Sequence, residues 1–153
     1  MNLKPVSIAY SGYTITTDKV EMKIEDIHQW LSEEAYWSKG IPMEKVRTAF
    51  DNSFCIGVIW EGRQVGYARL VTDYATFGYL ADVFVAEPHR GKGLSKKMME
   101  VIFGLDWVKG LRRVMLATIH AHGLYRQYGF GECKYPERIM EVLLSPDMYL
   151  TAG

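Results

Sequence analysis

The sequence predicts a single α/β domain in which a mixed, mostly antiparallel central sheet is flanked by helices. Three observations predict it. Between residues 54 and 85, three runs rich in β-branched and aromatic residues are separated only by short turn segments, the pattern of consecutive hairpins. Residues 77–118 then read strand, helix, strand, which implies a right-handed crossover between parallel neighbours. The chain has 153 residues, 48% apolar and 24% charged. That composition suits one domain, which takes ~100–200 residues. No internal repeat, low-complexity tract or linker interrupts it, so residues 1–153 are read as one domain.

The elements follow in order. YTITT at 13–17 is β-branched and reads as a short first strand, with Asp18 and Lys19 returning the chain. Ile24, Ile27, Leu31 and Ala35 recur at three- and four-residue spacing, which predicts a helix stopped by Gly40 and Pro42. A second, short helix runs over about 43–52, with Met43, Val46 and Phe50 on one side. Residues 54–60 are a dense apolar run, 61–63 a turn, and 64–72 the return strand of a hairpin. After a turn at 73–76, residues 77–85 are apolar almost throughout and are expected to be a central strand covered on both faces. Pro88 ends it. A helix over 94–109 carries Leu94, Met98, Val101, Ile102, Leu105 and Val108 on one face, with Gly104 a weak point inside it. A buried strand at 114–118, a helix at 121–128 ended by Gly129, and a last strand at 138–144 complete the pattern.

Charge and cysteine content narrow the function classes. Eighteen basic and eighteen acidic residues leave zero formal net charge. The global field therefore favours neither nucleic acid nor an acidic membrane, and neither is expected as a partner. No apolar run reaches the ~18–20 residues of a membrane span. Cys55 and Cys133 lie far apart, and the first residues lack a basic segment followed by an apolar core, so a reduced, cytoplasmic location is expected.

The most informative stretch is HRGKGLSKK at 89–97, between a buried strand and an amphipathic helix. It holds four basic residues and no acid. A helix N-terminus offers unpaired N–H groups and a partial positive charge, which together favour a phosphate. Gly91 and Gly93 let the backbone turn sharply and approach oxygen atoms closely, so that the N–H groups of residues 91–95 can converge on them. Arg90 and Lys92 add charge. The alternative reading is a plain strand-to-helix turn with a solvated basic patch. A Walker A string is absent, and a dinucleotide fingerprint fails because Lys96 stands where the third glycine belongs.

YLADVFV at 79–85, RGKGLS at 90–95 and AHGLYRQYGF at 121–130, in this order, resemble the GNAT superfamily of acyl-CoA-dependent N-acyltransferases. The family loop places Arg90, Gly93 and Ser95, where Ser95 departs slightly in size from the usual small residue. Its second motif maps onto Ala121, Tyr125, Gly129 and Phe130, with Thr118 in the place of a frequent asparagine. YWSKG at 36–40, GYARLVTD at 66–73 and AHGLY at 121–125 also look like one widespread bacterial branch, so the likeness covers nearly the whole chain.

This resemblance implies a GNAT-like fold with acetyl-CoA as acyl donor, its pyrophosphate on Arg90, Gly91, Lys92, Gly93, Leu94 and Ser95. The pantetheine arm would run along the backbone of Val83, Phe84 and Val85 and near Thr118. A splayed strand leaves N–H and C=O groups that the arm's two amides can pair with, as an added strand would. The acceptor amine must be neutral to attack, and a lysine-like amine of pKa ~10.4 costs about 4.6 kcal/mol to deprotonate at pH 7. Asp82 is the candidate base, since two-residue alternation puts it on one face with Leu80 and Phe84 in an otherwise apolar segment. Its other reading is a hydrogen-bonded structural acid. Asp73 is a weaker substitute. Tyr125 is the family-matched acid for the departing thiolate, against the reading of an ordinary packing aromatic.

Two helical aromatics, Tyr36 and Trp37, with Trp30, are expected to wall the acceptor site, with Glu33 or Glu34 attracting a cationic amine. His120 and His122 suit a base, an acceptor contact or a structural role. They lack the further ligands a metal needs, so no metal is expected. Neither cysteine has an evident histidine partner, which favours direct attack in a ternary complex on a small-molecule or peptide amine. An acyl-CoA sensor without turnover is the competing reading, and an interaction domain without nucleotide a third. A homodimer is compatible with all of them.

Overall fold

The computed structural model describes residues 3–144. Its centre is a six-stranded sheet whose strands lie side by side in chain order. β1 (Ser7–Tyr10), β2 (Tyr13–Thr16), β3 (Phe54–Trp60), β4 (Arg63–Thr72) and β5 (Phe77–Val85) pair antiparallel in succession. The short β6 (Arg113–Met115) pairs parallel with the start of β5. The expected mixed sheet is present, with the hairpins and the parallel return placed as the sequence pattern indicates.

Helices cover both faces. On one side α1 (Ile24–Gln29), the wider turn Trp30–Glu34 and α2 (Met43–Asp51) pack over Cys55, Tyr67 and Phe84. Across the sheet α3 (Leu94–Gly104) and α4 (Asp106–Lys109) bury Leu94, Met98, Met99, Ile102 and Val108 against Ile15, Ile56, Val58, Leu70 and Leu80. Both layers follow from strand alternation, with Phe54 and Ile56 facing one core and Cys55 the other. A last helix, α5 (His122–Arg126), follows β6.

Five expectations are corrected. Residues 13–17 are not the first strand, because the four-residue β1 precedes them and forms the outer edge. The single helix over 94–109 is broken at Leu105, whose backbone is extended at φ −73° and ψ 134°, immediately after Gly104. The strand expected at 114–118 is only three residues long. Residues 77–85 are not covered throughout, since Phe77 and Tyr79 are each 39% exposed. The segment 138–144 pairs with nothing among the described residues. It starts in a tight turn, Pro136–Arg138, and runs out exposed, without the ladder hydrogen bonds that a strand gains from a neighbour.

Candidate active site

The parallel pairing of β5 with β6 stops at Tyr79–Met115. Beyond it β5 keeps its bonds to β4, while its other side, from Leu80 to Val85, has no strand partner among the described residues. A fork opens there. A cavity of about 630 Å³ fills it, walled by β5, the segment 116–121 after β6, and Tyr125 of α5. A second cavity of about 340 Å³ continues along Val83, Phe84 and Val85 to Arg90 and Ser95. The two share Tyr36, Trp37 and Val83 and so form one groove.

At its far end lies the glycine loop. Gly91 and Gly93 have φ of 78° and 79°, in the left-handed region that side chains disfavour. A Cβ at Gly91 would meet open space, whereas one at Gly93 would come 3.0 Å from the Tyr10 hydroxyl. That hydroxyl donates to the Lys92 carbonyl at 2.9 Å, so β1 holds the loop from behind. The Arg90 Nε donates to the Val85 carbonyl at 2.8 Å, and its guanidinium lies over the Phe84 ring. Among the described residues no side chain caps α3, and Lys97 is the residue whose N–H reaches back to the Gly93 carbonyl. The N–H groups of the first helical turn before it are left for solvent or a ligand.

At the fork, Asp82 has φ of 55° and sits in a register shift between β4 and β5, where Tyr67 opposes Phe84 and Arg69 opposes Ala81. This bulge overturns the alternation argument. Leu80 packs in the α3-side core and Phe84 in the α1-side core, so Leu80, Asp82 and Phe84 do not share a face. The Asp82 carboxylate turns to Arg69, whose Nε donates to Oδ2 at 2.6 Å, and to Trp37, whose indole donates to Oδ1 at 2.9 Å. Arg69 also donates to the Ser53 hydroxyl at 3.1 Å. Burial opposes the Arg69 charge, but the carboxylate beside it outweighs this and raises its pKa above the ordinary value. Asp82 thus ties two strands and the 35–41 loop together, and Trp37, 43% exposed, stands at the groove edge-on to Tyr36.

Tyr125 is 7% exposed and borders the fork. Burial, with the Tyr36 phenol adding to it, pushes its pKa above the usual phenol value, so it is protonated at neutral pH. The Thr118 hydroxyl accepts from the Ala121 N–H at 3.0 Å, bracing the turn that leads into α5, and keeps its own proton to donate.

Some expected site residues lie elsewhere. Asp73 is in the β4–β5 turn, where the Thr76 hydroxyl, with the N–H groups of Thr76, Ala75 and Phe77, holds its carboxyl well below the usual range. It does not border the groove. His122 borders a different cavity behind α5, while His120 borders the fork. Trp30 is buried and stacked on Phe84 at 5.2 Å, which makes it core rather than acceptor wall. Glu33 and Glu34 are exposed, and Glu34 flanks the cavity toward the loop. Arg69 and Tyr10 were missed, and His120 was named only together with His122, without a reason to prefer it. The signal for Arg69 was available as one cation inside an otherwise buried strand, facing the one acid of its neighbour.

Cys55 is buried, with Sγ 3.3 Å from the Tyr67 hydroxyl, and burial pushes its thiol up to about 11. Among the described residues no cluster of three or more potential ligands for a metal ion occurs, and no helix is long and apolar enough to cross a membrane.

Comparison with known proteins adds relatives to this geometry. A family model described as the acetyltransferase (GNAT) family matches residues 24–130. A candidate acetyltransferase of Gibberella zeae is 31% identical over 135 residues, covering 75% of this chain and 76% of that one. The crystal structure of a candidate GNAT-family acetyltransferase from Xanthomonas campestris pv. campestris is 44% identical, with a TM-score of 0.86 over 90% of this chain and 96% of that one. A Clostridium acetobutylicum chain predicted to be an acetyltransferase, crystallised with acetyl-CoA, shares the fold at 15% identity. Its TM-score is 0.61, over 86% of this chain and 94% of that one.

Proposed function

The chain belongs to the GNAT acetyltransferase family, and from that premise we propose that it moves an acetyl group from acetyl-CoA to a primary amine by direct attack, with both substrates bound. One observation carries the reading. The unpartnered side of β5 leads without interruption to an uncapped helix N-terminus bearing two left-handed glycines. That arrangement fits a ligand with amides at one end and phosphates at the other. When bound, acetyl-CoA supplies an acetyl group activated as a thioester.

The chain's residues divide the remaining work. The N–H groups of Gly91, Lys92, Gly93, Leu94 and Ser95 receive phosphate oxygens, with Arg90 and Lys92 adding charge. The backbone of Val83, Phe84 and Val85 pairs with the pantetheine amides, and the Thr118 hydroxyl donates across the groove. Tyr125, kept protonated by burial, gives its proton to the departing sulfur.

Among the described residues, Asp82 is the one carboxylate bordering the fork. Both its oxygens are engaged by Trp37 and Arg69, and a carboxylate has further lone pairs, so it takes the amine's proton through an intervening water. Tyr36, Trp37 and His120 face the acceptor. Cys55 is buried, so no acyl-cysteine step enters at that position, and the transfer is direct.

Release of free CoA thiol from acetyl-CoA across a panel of amines tests the assignment. Turnover with at least one amine is expected, and Tyr125→Phe should lower kcat by about 10²-fold with little change in KM for acetyl-CoA. An unchanged kcat in Tyr125→Phe overturns the acid assignment. Acetyl-CoA binding without turnover on any amine replaces the enzyme with a sensor.

A further inference from the structure

Resting on the transfer reading above, we propose that the amine acetylated by this chain is a monoamine carried on an aromatic ring, an arylalkylamine, and that Tyr36, Trp37 and Tyr79 select it. The first support is the wall of the fork. Tyr36 is 57% exposed, Trp37 43% and Tyr79 39%, and all three border the same cavity. A large aromatic exposed singly needs no explanation, but three gathered at one opening mark a surface that receives an apolar partner. Tyr79 comes from β5 and the other two from the 35–41 loop, so separate elements converge on the space.

The ring pair is held in place by the fold itself. The Trp37 indole is tied to Asp82 Oδ1, and Tyr36 packs edge-on against it with ring centroids 5.0 Å apart. Behind them the Ser38 hydroxyl donates to the Leu31 carbonyl at 2.7 Å, and the Gly40 N–H donates to the Ser32 carbonyl at 2.8 Å. A wall fixed in this way loses little freedom when a ring settles on it. The fork's cavity of about 630 Å³ lies within the ~300–1,000 Å³ of small-molecule sites, which leaves room for one aromatic ring beside a thioester.

Charge excludes the competing acceptor classes. Among the described residues lining the fork, Asp82 is the one carboxylate and Arg69 the one permanent cation, and they are bonded to each other at 2.6 Å. Arg69 is further engaged by the Ser53 hydroxyl. A polyamine or an aminoglycoside would bring several ammonium groups and find no free carboxylate. An amino acid would bring a carboxylate and find no free permanent cation. Each such group would lose water without gaining a partner. Glu34 borders the neighbouring cavity toward the glycine loop and not the fork, while His120, as an imidazolium, repels further ammonium groups. A single ammonium is different, because the rings of Tyr36 and Trp37 attract it on arrival and it loses its proton before attack.

Release of CoA thiol at saturating acetyl-CoA, compared across phenethylamine, tryptamine, n-butylamine, spermidine, lysine and kanamycin, tests the class. Burying one ring raises kcat/KM ~10–100-fold, so phenethylamine should exceed n-butylamine by that factor and exceed spermidine, lysine and kanamycin as well. Tyr36→Ala should lower the ratio of phenethylamine to n-butylamine by about tenfold, and Tyr36→Phe should restore it. A loop merely loosened would slow both amines alike and leave the ratio where it was. Any amine without an aromatic ring that is turned over as efficiently as phenethylamine overturns the acceptor class and leaves acetyl transfer standing. An unchanged ratio in Tyr36→Ala overturns it too. Should no amine be turned over, calorimetry of phenethylamine, n-butylamine and spermidine on protein saturated with CoA decides the class separately. Tighter binding of phenethylamine then upholds the aromatic selection while the transfer reading fails, and its absence overturns the proposal.

Discussion

Replacing Asp82 with asparagine removes the charge at the point where β4, β5 and the 35–41 loop meet, while keeping an acceptor for the Trp37 indole. The Arg69–Asp82 pair is 2.6 Å long, with side chains 20% and 11% exposed. Removing one partner of a fully buried pair costs ~3–5 kcal/mol, and an exposed pair contributes ~0–1. This pair is partly exposed on the arginine side, so the loss should be about 2 kcal/mol. Asparagine tolerates the left-handed φ of 55°, so no backbone cost is added. Alanine does not, and it also abandons Trp37. Its left-handed cost of ~1–2 kcal/mol and a lost hydrogen bond of ~1 bring the total to about 4–5 kcal/mol.

For a domain of this size 1 kcal/mol moves Tm by ~2–4 °C, giving drops of about 4–8 °C for Asp82→Asn and at least twice that for Asp82→Ala. Urea denaturation of Asp82→Asn, Arg69→Gln and the double variant supplies the check. The double variant should be more stable than the sum of the two losses, by about 1–2 kcal/mol, because the stranded partner is gone. Strict additivity, or a Tm drop below about 1 °C for Asp82→Asn, would refute the reading of Asp82 as a brace.

Two further outcomes are expected. Gly93→Ala should lower Tm by several degrees and raise KM for acetyl-CoA, because its Cβ displaces the Tyr10 hydroxyl from Lys92. Gly91→Ala, facing open space, should show only the left-handed cost of ~1–2 kcal/mol; equal effects in kinetics and melting would contradict this. Titration of native protein with a thiol reagent should count Cys133 alone, with Cys55 appearing only in denaturant. The Cys55 thiol is raised from 9.0 to about 11 in the fold. The unfolded chain therefore releases that proton first, so stability is full below pH 9 and falls as pH rises toward 11. Cys55→Ala should flatten that alkaline fall, and an unchanged slope would contradict it.

The glycine loop was legible in the sequence because left-handed backbone requires particular residues, and Gly91 and Gly93 stand where both helix entry and ligand approach need them. The hairpins were legible because alternation and turn residues are local signals. β1 was not read, since four residues at a sheet edge, only half-buried, bury too little to leave a pattern, although Ser11 and Gly12 marked the turn after it. Register is where sequence reasoning failed. The bulge at Asp82 reverses which face follows it, and nothing in the stretch 79–85 announces an extra residue. His120 and His122 could not be told apart for a similar reason, because the irregular segment between β6 and α5 sets which one meets the fork. The 138–144 reading failed because composition reports the wish of a segment to pair but not the partner.

The most direct measurement is the melting temperature of wild type and Arg90→Glu with and without acetyl-CoA at a hundredfold excess over Kd. Binding to the native state alone then adds ~2.7 kcal/mol, a rise of about 5–10 °C for this domain. The account predicts that rise in wild type and its loss in Arg90→Glu, each compared with its own ligand-free baseline. No rise in wild type would contradict the assignment of the groove and its glycine loop to acetyl-CoA.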